Sequence, residues 1–384
     1  MFNFKQYNFK KYNFSLVAVV ILLGIAGSYF VKCAGGVDFG VSNFKKQLVG
    51  LILGLAIAGM VSIVDYHFIC RFALLGYIVG TLMVAATRFS PLGTDLSTNS
   101  YRWLRLPGIN FQPSEIMKIL LILMLAVFLD RMEENMDRFR TLVFAGMIMA
   151  LPTMFVLVQS DLSSSLVMIF LFAMMVFAAG LSYKIVGIIL AVGLPAFTAV
   201  FWYIQQPYQK LLNPYQRMRI VGFLNPDEYD NSIMYQQNHS VQSIGSGQLI
   251  GKTFTDAGGG RAYRYVDVIE SDFVFTVIGE EVGFIGSCLI ILLLATVIFL
   301  CLRTANKASD RLGMLIATGV ASMFMFQVFA NIGVAIRILP NTGLPLPFLS
   351  SGVSSMLGCM IGIGLILNIG IQGTRNRNGG FSMN

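Results

Sequence analysis

Residues 270–284 read ESDFVFTVIGEEVGF and continue without pause into IGSCLIILLLATVIFLCL, 285–302. A run of about 20 apolar residues suffices for a helix to cross a bilayer core about 30 Å thick. Carboxylates stand at the mouth of this run, Glu270 and Asp272, and within it, Glu280 and Glu281. A span that keeps acidic groups reads as one with work to do on them, because an ionised side chain at mid-span costs about 2.5–3.5 kcal/mol.

The rest of the chain fits that reading. Of its 384 residues, 56% are hydrophobic and 12% charged, with a mean hydropathy of +0.72. Soluble domains carry about 25% charged residues. The composition therefore predicts an all-α, polytopic membrane protein forming a single integral membrane domain over 1–384. Ten spans are expected, at 15–34, 47–64, 68–87, 112–130, 141–158, 164–180, 184–203, 273–302, 310–338 and 351–372. The break at Asp65–His67 separates the second from the third. The first run is too long for a cleaved signal peptide and is read as a retained span.

Ten spans put both termini on one side. Lys5, Lys10, Lys11, Arg71, Arg131, Arg138, Arg140, Lys184, Arg303, Lys307, Arg311, Arg375 and Arg377 then fall on short segments of that side, so the positive-inside rule favours the cytoplasm for it. The net charge of +8 is of this kind and calls for no nucleic-acid partner. Five scattered cysteines with no C-x-x-C spacing suggest neither disulfides nor zinc. With only His67 and His239, no Ser-His-Asp constellation is credible, and no Walker-type phosphate loop occurs.

Two long loops are then extracellular, 88–111 and, between spans seven and eight, 204–272. Polar residues converge on this face. In RWLRLPGINFQPSEIMK, 102–118, Pro113 suits a first helical turn and Glu115 and Lys118 share one helix face. An interfacial ion pair with a snorkelling lysine is the plainer alternative. Asp161, in VQSDLSSS, opens the sixth span, where a helix cap is the plainer reading. The long loop supplies Arg217, Arg219, Lys252, Arg261 and Arg264, cations that suit phosphate or simply solvate a surface. Glu280 lies about 12 Å deeper than Asp272 and about 80° around the helix, with Glu281 about 180° away. Asp272 is thus assigned to the outer site, and Glu280 and Glu281 to structural pairing in the bundle, with Asn331 and Arg337 as possible partners. LPNTGLPLPFLSSG, 339–352, with three prolines, reads as irregular backbone shaping a cavity or as a connector.

The stretches RWLRLPGINFQPSEIMK, SIGSGQLIGK, SDFVFTVIGEEVGFIG and TGLPLPFLSSG, in this order, resemble the SEDS family, the RodA/FtsW/SpoVE proteins, over roughly 15–372 and most closely its RodA branch. The resemblance implies a peptidoglycan glycosyltransferase. Such an enzyme polymerises lipid II, the undecaprenyl-pyrophosphate-linked disaccharide-pentapeptide, at the outer face of the bacterial cytoplasmic membrane. It serves elongation, division or sporulation, and undecaprenyl pyrophosphate is released. It also implies a class B penicillin-binding protein as partner and a divalent cation, Mg2+ or Mn2+, as cofactor. By motif, the essential aspartate falls on Asp272. Glu115, Lys118 and Asp161 become groups that orient it or hold metal, and Arg217, Arg219 and Lys252 meet the pyrophosphate. The sequence departs from the family pattern at Glu270-Ser271, at SSGVSS and at Ser160. A competing reading is a flippase of the lipid-linked precursor, since buried carboxylates also suit transport. The clustering on one face favours the polymerase.

Overall fold

The computed structural model describes residues 7, 12–91, 93–94, 101–106, 109–212, 214–225, 234–255 and 260–372. Lys5, Lys10, Lys11, Arg375 and Arg377, which enter the orientation argument, lie outside them. The described chain is almost wholly helical: α1 (Phe14–Ala34), α2 (Gly36–Ile63), α3 (Tyr66–Arg71), α4 (Ala73–Phe89), α5 (Pro113–Arg131), α6 (Phe139–Val158), α7 (Leu162–Ala178), α8 (Tyr183–Gln205), α9 (Pro214–Leu224), α10 (Tyr235–Ser246), α11 (Val274–Lys307), α12 (Arg311–Ala335) and α13 (Val353–Ile371). Seven helices are long and apolar enough to cross a membrane, and α4 and α7 are shorter apolar helices.

Local chemistry sets the boundaries. The side chain of Asn13 accepts from Leu16 N, that of Asp161 from Ser164 N and that of Asp310 from Gly313 N, so each satisfies an orphan donor at a helix start. Pro113 opens α5, where a missing N–H costs nothing. α5, α12 and α13 form the buried centre. The exposed side chains of α1, α2, α4 and α6 are chiefly large and apolar, as hydrocarbon requires. α8 stands apart: none of its residues is buried, and its main neighbour is α9.

Three expectations are corrected. The second span begins well before residue 47, because 36–46 continues as helix; its polar residues are used rather than breaking it, Asn43 donating to Glu270 and Gln47 to Ser350 O. The two long loops carry regular structure: β1 (Gly93–Thr94), β2 (Trp103–Leu106) and β3 (Ile109–Phe111) form an antiparallel sheet in the first, and α9 and α10 lie in the second. Helix α11 is interrupted at Gly283 (φ 67°, ψ −166°).

Asp65 does break the chain, capping α3 through His67 N. At this end, remote from Asp272, the starts of α1 and α3 and the close of α13 lie together: the Tyr12 hydroxyl donates to Ser62 Oγ, Tyr66 N to Asn368 Oδ1, and Gln372 Nε2 to Asp65 Oδ1. His67 sits between two carboxylates, 2.7 Å from Asp310 and 2.9 Å from Asp65. The Asp310 hydrogen bond outweighs burial and raises the imidazole pKa to about 9. A histidine raised in the folded state gives stability that is complete below its free pKa of about 6.5 and is lost as pH climbs through the folded value. The ring is half-exposed, so the effect is modest. Solubilised protein should therefore melt lower as pH rises from about 7 to about 10, and His67→Gln should flatten that slope. An unchanged slope in the variant would assign it elsewhere.

Candidate active site

Asp272 lies just ahead of α11, at the end of the bundle where α12 and α13 are joined by 336–352. Its position is fixed by backbone. Asn331, buried on α12, donates through Nδ2 to Asp272 O at 2.8 Å and to Leu344 O at 2.7 Å. Ser351 N donates to Glu270 O at 2.7 Å, and Ser350 Oγ bonds to Ser271 O. The irregular 339–352 segment is therefore a wall of the site rather than a connector. The carboxylate accepts from Ser271 Oγ at 2.8 Å. A β-carbon at Gly343 (φ +72°) would stand 3.0 Å from Asp272 Oδ2, so the glycine both allows the left-handed turn and leaves room for the acid.

A little of Asp272 reaches solvent, yet its carboxylate is packed within protein. That burial pushes its pKa above the ordinary carboxylate range. The Ser271 hydrogen bond and the charges of Arg102 and Arg219 pull the other way, and Asp161 adds to the rise. Two cations and a second acid thus act on Asp272 directly.

Each neighbour is held by its own element. Arg219, on α9, donates to Asn341 O at 3.2 Å. Arg102, at the foot of β2, donates through Nη2 to Ser160 O at 2.7 Å, and its buried Nε has no hydrogen-bond partner among the described residues. Asp161 is the α7 cap that its position suggested, accepting from Ser164 N at 3.1 Å and Ser164 Oγ at 2.8 Å. Gln112 Nε2 approaches its second oxygen at 3.5 Å. From Gln112 the chain enters α5, where Glu115 and Lys118 form a wholly buried ion pair at 2.9 Å. No interfacial snorkelling occurs there. Ser163 Oγ, in the first turn of α7, bonds to Thr342 O, next to Gly343. The four sequence-distant regions thus meet as one site.

Two cations read for the pyrophosphate are placed differently. Lys252 is bonded to Glu280, and its charge is absorbed there. Arg217 Nη2 donates to Gln205 O at 2.8 Å, at the corner between α8 and α9. Glu280 and Glu281 are buried and paired, but among the described residues Asn331 and Arg337 are not their partners. Glu280 accepts from Lys252 and from the N–H groups of Ala262 and Tyr263. Glu281 accepts from Arg261, Thr253 and the Tyr263 hydroxyl. The long loop reaches in to meet these acids, so no depth match with α12 is needed. Arg337 instead donates to Asn238.

Among the described residues, no three His, Cys, Asp or Glu side chains stand together as a ready-made metal cage. The wall beside Asp272 does hold acceptor oxygens without donors: Asn331 Oδ1, Asn341 Oδ1 and Thr342 Oγ1. Such oxygens suit Mg2+ when a substrate phosphate and water complete its shell.

The model for the FtsW/RodA/SpoVE family, described as cell cycle protein, matches residues 10–375. The chain belongs to this family. Among curated FtsW/RodA/SpoVE relatives, it is 31% identical over 326 residues to "Probable peptidoglycan glycosyltransferase FtsW" of Geobacter sp. (strain M18), covering 85% of this chain and 86% of that one. It is 30% identical to "Stage V sporulation protein E" of Bacillus subtilis (strain 168), over 92% and 95% of the two chains. It is 29% identical to "Peptidoglycan glycosyltransferase MrdB" of Escherichia coli (strain K12), over 92% of each. Its fold matches a chain from the structure "Structural coordination of polymerization and crosslinking by a peptidoglycan synthase complex", with TM-score 0.77, 27% identity and 94% and 97% coverage. It also matches the rod shape determining protein RodA of Thermus thermophilus, with TM-score 0.67, 25% identity and 96% and 98% coverage.

Of the residues around Asp272, sequence reading missed Arg102, Asn331 as its backbone clamp, and Gly343. Arg102 had a signal, since it opens the RWLRLPGINFQPSE stretch. Its partner Ser160 has none.

Proposed function

We propose that this chain is a peptidoglycan glycosyltransferase that polymerises lipid II, with Asp272 as its general base. One observation carries the reading: Asp272, a residue with a little solvent exposure whose carboxylate is packed within protein, lies in the field of Arg102 and Arg219 at the bundle end where the long loop folds. Adding α4, α5 and α7 to the seven long apolar helices gives ten crossings. Both ends of the described chain then lie on the side away from Asp272, the cytoplasmic side, and the site faces outward.

The reaction joins a sugar 4-hydroxyl to an anomeric carbon and expels a lipid pyrophosphate. The hydroxyl is a poor nucleophile near neutral pH, and a placed carboxylate that takes its proton contributes typically 10²–10⁴-fold. A raised pKa makes Asp272 a better proton acceptor than a free aspartate. The leaving group gathers negative charge. Arg219 and Arg102 are the cations beside the base, and the unpartnered Arg102 Nε is a ready donor to a phosphate oxygen. The neutral oxygens of Asn341 and Thr342, with water and the substrate pyrophosphate, would hold a divalent cation, Mg2+ or Mn2+, which supplies further charge neutralisation and leaves the Asp272 carboxylate to take the proton. Direct displacement with inversion needs one base and no covalent sugar–enzyme intermediate. Glu115 and Lys118 act one layer behind, setting the start of α5 and hence Gln112 against Asp161. A class B penicillin-binding protein is the partner that the synthase-complex likeness supports.

Purified protein, with that partner, should convert labelled lipid II to glycan chains when Mg2+ is present. Leaflet exchange of lipid II without chain growth would replace the polymerase with a flippase. Gly343→Ala should melt somewhat lower, because alanine is strained at φ +72°, and should lower the kcat of the folded protein roughly ten- to hundred-fold, because a methyl group there displaces the Asp272 carboxylate. A kcat equal to that of the parent protein would detach Gly343 from the site.

A further inference from the structure

Glycine 283 leaves the helical region, so the two halves of α11 lose hydrogen bonds across the break. Residues 247–253 of the long loop replace them. Phe284 N donates to Gln248 O at 2.8 Å and Ile285 N to Leu249 O at 3.0 Å. On the other side, Lys252 N donates to Glu280 O at 2.9 Å and Thr253 N to Glu281 O at 3.1 Å. A β-carbon at Gly283 would lie 2.4 Å from Gly251 N, so the two backbones meet directly. The splice supplies loop-backbone partners to both helix ends. That is the condition under which broken backbone can sit at membrane depth.

The side chains divide in the same way. Lys252 and Thr253 bond to Glu280 and Glu281, so the turn's cation and its threonine hydroxyl are spent on the buried acids, while the Gln248 side chain, at the start of the turn, is exposed. Leu249, Ile250 and Phe254, with Phe284 and Ile285 across the splice, are each between 49% and 71% exposed. This apolar surface runs on into exposed Leu289 and Leu292 on the same membrane-crossing helix. Continuity with a lipid-facing surface, together with satisfied backbone and neutralised charge, selects the occupant.

We propose that residues 247–254 form a re-entrant turn embedded in the hydrocarbon of the leaflet nearest Asp272, with Leu249, Ile250 and Phe254 among the acyl chains. The segment read from sequence as part of the extracellular loop 204–272 then enters the membrane itself. Lys252 is the inward-turned, neutralised cation of that turn. The inference stands independently of the reaction assigned to Asp272.

Collision accessibility of nitroxide labels tests it. Labels are placed singly on Phe254→Cys and Ile250→Cys, with the native cysteines replaced, in vesicles of phosphatidylethanolamine and phosphatidylglycerol. Native Cys288, exposed on the helix beyond the break, gives the hydrocarbon reference. Gly260→Cys, at an exposed site with open space around it, gives the aqueous reference. Labels at 250 and 254 should collide with oxygen in preference to a water-soluble nickel chelate, in a ratio near that of Cys288 and several-fold above that of residue 260. A ratio matching residue 260 would overturn the proposal. So would protection from both reagents, which would mean that protein rather than lipid covers the turn. Both side chains are on the surface, so the substitutions leave the core intact, and a single symmetric gel-filtration peak checks this for each variant.

Discussion

Asp272→Asn should slow glycan synthesis from lipid II by about 10²–10⁴-fold, while the protein melts no lower than the parent and, on the electrostatics, higher. The two halves of this result have one cause. Burial raises the pKa of Asp272, which means that the folded protein disfavours its ionised form. A group of that kind costs stability above its folded pKa, so near neutral pH the aspartate is held charged at the expense of the fold. The amide is nearly isosteric, keeps the Ser271 contact and carries no charge to desolvate. It cannot take a proton from a sugar hydroxyl, and loss of a general base removes typically 10²–10⁴-fold in rate. Polymer yield from purified variant and its melting temperature decide the matter together. A slowed variant that melts lower would reduce Asp272 to a structural residue.

Lys118→Met should cost about 3–5 kcal/mol, the penalty for leaving one member of a buried pair unpaired. Glu115 has no solvent to turn to and no cation other than Lys118 within bonding distance among the described residues. Set against a typical total stability of about 5–15 kcal/mol, this will remove much of the folded protein. The double variant Glu115→Gln, Lys118→Met should recover most of the loss, since neither partner is then a stranded charge. Thermal melting of single and double variants in detergent measures both. If the double variant is as unstable as Lys118→Met alone, the pair is not the source of the penalty. A double variant that folds well yet polymerises slowly would show that the pair also shapes the site.

The apolar spans were legible because lipid leaves little choice: backbone must be helical and its lipid-facing side chains apolar. The same severity made Asp272, Glu115, Lys118 and Asp161 conspicuous, and all four lie in the connected site. What escaped depends on contacts distant in sequence. A glycine within a helical pattern is ordinarily tolerated, so nothing local marks Gly283 as a break. Its conformation follows from backbone pairing with 248–253, about thirty residues earlier in the chain. For the same reason Lys252 read as a free cation, although its carboxylate partner comes from α11. Arg102 was one basic residue among several in a loop, and only the fold of β2 against Ser160 distinguishes it.

The most direct test of the account is the pH dependence of kcat/KM for lipid II polymerisation by the purified protein with its partner. A general base of raised pKa predicts an acid limb with a single ionisation above the ordinary aspartate range, absent from the residual rate of Asp272→Asn. A rate that stays flat into acid, or an acid limb that persists in the variant, would contradict it.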